Sequence, residues 1–224
     1  MYGDDSNMED AIDPFFIPCF VTDAVVAEHK ASVTIVDHPG QIYTKVLSSH
    51  YSHKSGIEAG YLLFKNGNKY EGAISQGKMT GIGRMTFADG TIYDGTFTDN
   101  AMTGRGKVVW GGDVGYEGDF SKGYRHGKGL YTNTKYGITY DGDWYYGHIK
   151  GWGRLTYPNG ASYEGEFDDG QRQGEGTMYY TSGNTYFGNW NNNSKAEYGT
   201  MYWKDQQQKY EGNWKNDSPE GFGK

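Results

Sequence analysis

The sequence predicts a thin, all-β protein built from repeated antiparallel hairpins. Three observations carry that prediction: glycine is 36 of 224 residues, aromatic side chains make up 17%, and a Tyr-x-Gly triplet recurs at near-constant spacing. Glycine at about 16% of the chain, against an average of roughly 7%, is unsuited to helices, where each costs about 1 kcal/mol relative to alanine. Hydrophobic residues make up only 35%. Aliphatic side chains for a deep core are therefore scarce, and flat rings must do the packing. Five prolines and no Gly-x-y period exclude collagen.

The triplet begins at Tyr70, Tyr93, Tyr116, Tyr140, Tyr163, Tyr186 and Tyr210, with spacings of 23, 23, 24, 23, 23 and 24 residues. Offsets counted from each tyrosine bring the units into register. Offset two is always glycine, from Gly72 to Gly212. Offset four is large and apolar: Ile74, Phe97, Phe120, Trp144, Phe167, Trp190 and Trp214. Offset seven is Gly, Asn or Asp, the residues that tolerate positive φ in a turn. Offsets eleven and thirteen form Gly-x-Gly in six of the seven units, and Glu197 replaces the first glycine in the sixth.

Side chains alternate along a strand, so the tyrosine, the glycine at two and the ring at four share one face. The second strand repeats the alternation from offset ten to seventeen. A four-residue turn over offsets six to nine makes paired offsets sum to fifteen. In that register the ring at four lies opposite the glycine at eleven, and the glycines at two and thirteen face each other. It also sets Glu71 opposite Arg84, Asp94 opposite Lys107, and Asp141 opposite Arg154. Exposed pairs of this kind contribute about 0.2–1 kcal/mol each.

This pattern, as in Tyr163-Glu-Gly-Glu-Phe-Asp-Asp-Gly followed by Gly174-Glu-Gly, resembles the MORN family (membrane occupation and recognition nexus repeats). The likeness covers residues 70–224, with a degenerate half-repeat at about 60–69. It implies a curved single-layer antiparallel meander of stacked β-hairpins, a MORN-repeat solenoid with one hairpin per repeat. Neighbouring repeats share the core in such an array, because one hairpin alone buries too little.

Three regions follow. Residues 1–13 read as a disordered acidic tail. Residues 14–60 form an irregular segment expected to cover the open edge of the first hairpin. It holds the apolar run Pro14–Phe20, a short helix over Thr22–His29 and a strand over Ser32–Val36. Residues 61–224 are the repeat array. Its last repeat stops at offset fourteen, which is expected of a fragment of a longer chain.

Composition also narrows function. No run approaches 18 apolar residues, the acidic N-terminus is unlike a secretory signal, and the single Cys19 permits no internal disulfide. The expectation is a cytoplasmic or cytoskeletal protein. Residues 1–60 carry nine acids and three bases, and residues 61–224 carry 19 acids and 18 bases. Neither stretch has the basic excess that nucleic acid requires, so no nucleic-acid partner is expected.

No chemistry stands out. His50 and His53, beside Asp37 and His38, lack the three or four firm ligands of a zinc site. The Gly-x-Gly triplets lack the third glycine and following helix of a dinucleotide loop. Cys19 has no activating base nearby in sequence. The expectation is no enzyme, no catalytic residue, no metal and no cofactor.

The informative face lies opposite the tyrosines. Its positions are mostly polar in the first three repeats, but Trp152, Tyr198 and Phe222 occupy the site between the paired glycines later on. Phe187 replaces the usual acid, and Tyr145, Tyr179 and Tyr202 fall on the same side. These seven are the candidate protein-binding residues, since exposed aromatic patches mark interaction surfaces. Gly199–Trp203 and Tyr210–Gly223 further resemble radial spoke head proteins of the head 10 homologue B type. That likeness implies a protein-binding scaffold with axonemal or cytoskeletal partners in a cilium or flagellum. Membrane lipid ranks second as a partner, because interleaved charges offer no basic cluster. A regulatory region of a longer enzyme is the remaining alternative.

Overall fold

Tyrosine at offset zero, glycine at two and an aromatic at four dictate a strand with one crowded face. The computed structural model of the protein describes residues 42–46 and 56–224, and of residues 42–46, Glu58 and Phe222 the backbone alone. The expectations for residues 1–41, including the tail, the Pro14–Phe20 run, Cys19, the helix, the strand and His38, lie outside the described residues. So do those for His50 and His53.

The described residues fall into two compact units divided between Tyr131 and Thr132. The first holds β1 (Ile42–Val46), β2 (Ile57–Phe64), β3 (Lys69–Ser75), β4 (Lys78–Thr86), β5 (Ile92–Thr98), β6 (Ala101–Trp110) and β7 (Val114–Ser121). It also takes most of β8 (Tyr124–Asn133). The second holds β9 (Ile138–Tyr145), β10 (His148–Thr156), β11 (Ser162–Asp168), β12 (Gln171–Tyr179), β13 (Thr185–Asn191), β14 (Ser194–Trp203), β15 (Gln208–Lys215) and β16 (Ser218–Gly223). In each unit the strands lie in chain order in a single antiparallel layer, and no helix occurs among the described residues.

Glycines form a row perpendicular to the strands. Gly60, Gly72, Gly83, Gly95, Gly106 and Gly118 pair in sequence across the first unit. Gly142, Gly153, Gly165, Gly176, Gly188, Gly199, Gly212 and Gly223 do so across the second. Each repeat tyrosine lies flat over its own two glycines. A Cβ on Gly165 would stand 2.5 Å from the Gly176 Cα and 2.5 Å from Tyr163 Oη. Only hydrogen fits there. The rings then interlock edge to face. Tyr163 meets Phe167 at 5.0 Å and Trp190 at 5.3 Å, and Tyr186 meets Trp190 at 5.1 Å and Trp214 at 5.2 Å. Tyr93 meets Phe97 and Phe120 in the same way in the first unit. Each such contact contributes about 0.5–1.5 kcal/mol beyond burial.

The turn departs from expectation. The glycines at two and thirteen do pair, but nearer the tip Ser75 pairs with Lys78 and Ile74 with Met79. Offsets six and seven both take positive φ, as at Gln76 (50°) and Gly77 (75°), which makes a two-residue hairpin turn instead of four. The two surplus residues, offsets eleven and twelve, form a bulge in the second strand. The ring at four therefore lies opposite offset nine in its own hairpin. Its glycine-eleven partner belongs to the preceding repeat, as Gly81 with Phe97 and Gly174 with Trp190. The bulge exposes the offset-three carbonyl, and the tyrosine hydroxyl donates to it in all seven repeats, from Tyr70 to Ala73 (2.7 Å) through Tyr210 to Asn213 (3.0 Å). The expected charge pairs occupy the predicted register, yet the ion pairs form between repeats. Arg84 reaches Asp94 at 2.6 Å and Lys107 reaches Glu117 at 3.8 Å. Arg84 and Lys107 each have an acid on both sides and select the one across the regular, unbulged pairing, whereas Arg154, between Asp141 and Glu164, reaches Ser162 Oγ at 3.5 Å instead.

Two outcomes follow from this packing. Gly165→Ala is expected to lower stability by about 1–3 kcal/mol through overpacking, while Glu175→Ala on the opposite face stays within about 0.5 kcal/mol; urea midpoints compare them. Burial also pushes the Tyr70 hydroxyl up to about 12 and raises those of Tyr93, Tyr116, Tyr163 and Tyr186. Unfolded tyrosine titrates near about 10, so this contribution is intact below pH about 10. It is lost as pH rises toward about 12, because the unfolded chain ionises first. Phenolate absorbance should accordingly show exposed tyrosines titrating before a second set that appears only with unfolding.

Candidate protein-interaction face

Alternation sends offsets one, three, five, twelve, fourteen and sixteen to the face away from the tyrosines. Six of the candidate residues have described side chains there, and all are exposed, from 40% for Tyr202 to 55% for Tyr145. Phe222 lies on β16, its side chain outside the description.

Strand register decides which of them meet. Tyr179 on β12 pairs with Thr185, which pairs with Tyr202 on β14. One pleat along, Phe187 on β13 pairs with Thr177 and Thr200. Phe187 is therefore the diagonal neighbour of both Tyr179 and Tyr202, about 7–8 Å away between backbones. Tyr198 stands beside the same Thr200 on the other side, on the bulge of β14. These four rings form one cluster on three consecutive strands. Trp152 is on β10, opposite Glu166, about three strand spacings or 14 Å from Phe187. Tyr145 ends β9 and stacks edge to face on Tyr146 at 4.9 Å. The single patch expected from sequence is thus a cluster of four with Trp152 and Tyr145 set apart.

Polar contacts fix the rim. The Tyr198 hydroxyl donates to Glu211 Oε1 at 2.9 Å, and Lys209 Nζ donates to Glu211 Oε2 at 3.1 Å. The hydrogen bonds from Lys209 and then Tyr198 hold the Glu211 carboxyl below its ordinary range, and the bond to Glu211 raises the Tyr198 hydroxyl. Tyr198 owes its position to Glu197, whose φ of 53° is left-handed where six repeats carry glycine.

The sequence reading missed a second set of residues. Offset nine runs Met79, Met102, Arg125, Ile149, Arg172, Lys195, and the two-residue turn points it into the core. Arg125, Arg172 and Lys195 are consequently buried cations. The Arg172 guanidinium lies 4.3 Å from the Trp190 ring centre and donates to the Asn193 carbonyl at 2.6 Å. Lys195 Nζ sits 5.4–5.7 Å from the rings of Trp214, Tyr180 and Tyr186. The aromatic quadrupole stabilises such cations by about 2 kcal/mol once desolvated. The switch from Met to Arg and Lys down one column was the available signal.

At the hairpin tips of β13 to β16, an open depression of about 550 Å³ is lined by Asn191, Asn192, Ser194, Asn213 and Glu220, among others. It lies at the edge of the aromatic cluster's strands. No group of three or more His, Cys, Asp or Glu side chains placed to hold a metal occurs among the described residues. No helix among them is long and apolar enough to cross a membrane.

Comparison with known families decides the fold's kinship. The MORN repeat pattern matches residues 70–92, 93–112, 116–137, 140–162, 163–185, 186–208 and 210–224. The chain belongs to the MORN repeat family. The seven matched segments of this MORN array begin at the seven repeat tyrosines. No curated protein matches the chain, so the likeness to radial spoke head proteins has no named relative behind it. Among solved structures, the TCP domain of SAS-4 (dCPAP) of Drosophila melanogaster, in complex with a proline-rich motif of Ana2 (dSTIL), is similar at 13% identity. That match covers 78% of this chain and 90% of the other, with a TM-score of 0.45. The TCP10 domain of Danio rerio CPAP, in complex with a STIL peptide, matches at 11% identity over 77% and 83% of the two chains, with a TM-score of 0.24.

At the bulge beneath Tyr198, Glu197→Gly should raise stability by about 0.5–1 kcal/mol, since a left-handed conformation costs a non-glycine residue about 1–2 kcal/mol. A higher urea midpoint with unchanged tyrosine exposure is the expected result.

Proposed function

We propose that this MORN array is a non-enzymatic protein-interaction scaffold that holds its partner on the aromatic cluster centred on Phe187. One observation carries the reading: Tyr179, Phe187, Tyr198 and Tyr202 project from three adjacent strands on the face the core does not use. Rings need no role there for folding, because the tyrosine–glycine packing lies wholly on the other side. Large rings on a rigid platform concentrate binding energy at low entropic cost. The finer placing, with axonemal or cytoskeletal partners in a cilium or flagellum, rests on the likeness of residues 199–223 to radial spoke head proteins. Attachment to anionic lipid is the competing reading. Among the described residues surface bases alternate with acids, as in the Arg84–Asp94 and Lys150–Asp168 pairs, and leave no basic cluster for a membrane.

The test combines two measurements on the full chain. Tagged protein should recover axonemal subunits from ciliated-cell extract, and Phe187→Ala should lose them without moving the melting curve. Truncating a true anchor costs about 2 kcal/mol or more in affinity. Sedimentation with phosphatidylserine vesicles at about 0.15 M salt, where screening acts beyond about 8 Å, should leave the protein in the supernatant. Pelleting there, or recovery indifferent to Phe187, overturns the reading.

A further inference from the structure

The geometry points to an extended, proline-containing basic peptide segment as the partner that lies on the Phe187 cluster, running across the strands. This inference rests on the interaction face proposed above and names its ligand class. Two observations carry it, one of spacing and one of charge.

Tyr179 and Tyr202 occupy the same cross-strand row with Thr185 between them. They are two strand spacings apart, about 9.6 Å. A polyproline II chain advances about 3.1 Å per residue with three residues per turn, so residues i and i+3 face the same way about 9.3 Å apart. A ligand crossing β12, β13 and β14 therefore sets successive turns over Tyr179 and Tyr202. Phe187, on the strand between them and one pleat along, stands beside the middle of that span, where the side chains of the intervening residues would pass. A helix would bring i and i+4 together at about 6 Å, and a strand running across the sheet at about 6.6 Å for i and i+2. Neither repeat matches the row.

The charge is complementary. Residues 132–224 carry twelve acids and nine bases. Two of those bases, Arg172 and Lys195, are buried on the opposite face. Seven bases therefore face twelve acids at the surface, an excess of five carboxylates. Two of the acids flank the cluster's rings, and a third stands beside the separate Trp152. Glu164, between Arg154 and Thr177 on its neighbouring strands, is the diagonal neighbour of Tyr179, Glu175 is the diagonal neighbour of Phe187, and Glu166 pairs with Trp152. No ion pair among the described residues engages any of these three. Arginine or lysine between the prolines gains both a carboxylate and the face of an exposed ring. The chain's own Pro14–Phe20 run has proline and apolar rings, but it follows a stretch with five acids and no base, which the same carboxylates repel.

The probe is a labelled synthetic peptide of four Pro-Pro-Arg triplets, titrated with the full chain and read by fluorescence anisotropy. Phe187→Ala should weaken binding about tenfold or more. The double substitution Glu164→Gln, Glu175→Gln should weaken it several-fold and flatten its salt dependence, with melting curves unchanged. Equal binding of a Pro-Pro-Glu peptide, or of a helical Ala-Ala-Arg peptide, overturns the inference. So does an increase in peptide affinity on Phe15→Ser with Phe16→Ser, which shows the chain's own segment on the face. If the peptide ignores Phe187 while partner recovery from extract still needs it, the ligand class falls and the interaction face stands. If neither depends on Phe187, both fall.

Discussion

Everything in this fold depends on a tyrosine ring lying against two facing glycines. The glycine row lets backbone and ring approach to distances that no Cβ tolerates, as the 2.5 Å clash built at Gly165 shows. Because the ring lies flat, its hydroxyl reaches three residues along and takes the carbonyl released by the bulge, as Tyr163 does to Glu166 at 3.0 Å. The ring, the glycine pair and the bulge are therefore one device. The bulge frees the acceptor, the hydroxyl satisfies it, and the glycines make room for the ring that carries the hydroxyl. A sheet with so few aliphatics gains its cohesion this way, from edge-to-face contacts that pass from one repeat to the next.

Coupling between repeats runs through the same parts. In β4, β6, β10, β12 and β14 the second strand of the hairpin is bulged toward its own first strand and regular toward the next hairpin, so the residue at offset eleven meets the following repeat's ring. The hairpin tips lock as well. The Asn193 side chain accepts from the Arg172 amide at 2.8 Å, and Asp217 accepts from the Lys195 amide at 2.7 Å. These turn residues hold the preceding repeat's offset-nine backbone. At Arg172 and Lys195 the charge folds back over the rings of both repeats, Tyr163 with Trp190 and Tyr186 with Trp214. A methionine at the same site, as in Met79 and Met102, fills the space by shape alone. The change from sulfur to cation leaves the geometry intact, since each long flexible stem covers the rings equally well.

The parts of this structure that were legible in the sequence are those set by repetition at period two. Tyr at zero, Gly at two and thirteen, and the outward alternation of Arg84, Asp94 and Lys107 all appear in the register that their spacing implies. The turn was not legible. A two-residue and a four-residue turn leave the same glycines paired once a two-residue bulge is allowed, and Gln76, Lys122 and Tyr146 at offset six give no warning of their positive φ. That one ambiguity concealed the inward direction of offset nine, and with it the buried Arg172 and Lys195. The outward aromatics were legible individually. Their division into a cluster and two outliers was not, because it depends on which strands carry them and on the bulge at Tyr198.

The two faces of the sheet stand in a simple relation. Folding uses one face so completely, with every repeat tyrosine from Tyr70 to Tyr186 fully covered, that side chains on the other face can vary with little consequence for stability. In the first unit the outward row beside the glycines alternates in charge, Glu71, Arg84, Asp94, Lys107, Glu117, and the three interior charges each have opposite neighbours across the strands. In the second unit the row begins in the same way with Asp141, Arg154 and Glu164 and then becomes Thr177, Phe187, Thr200, Glu211. The self-compensating ladder is interrupted by a ring flanked by short hydroxyl side chains, which leave Phe187 standing above its surroundings. Two threonines and a protruding phenylalanine do not improve the sheet on which they sit, and they replace charges that would keep it soluble. A surface that gives up its own compensation at one place, on strands held rigid from behind, is arranged to be completed from outside.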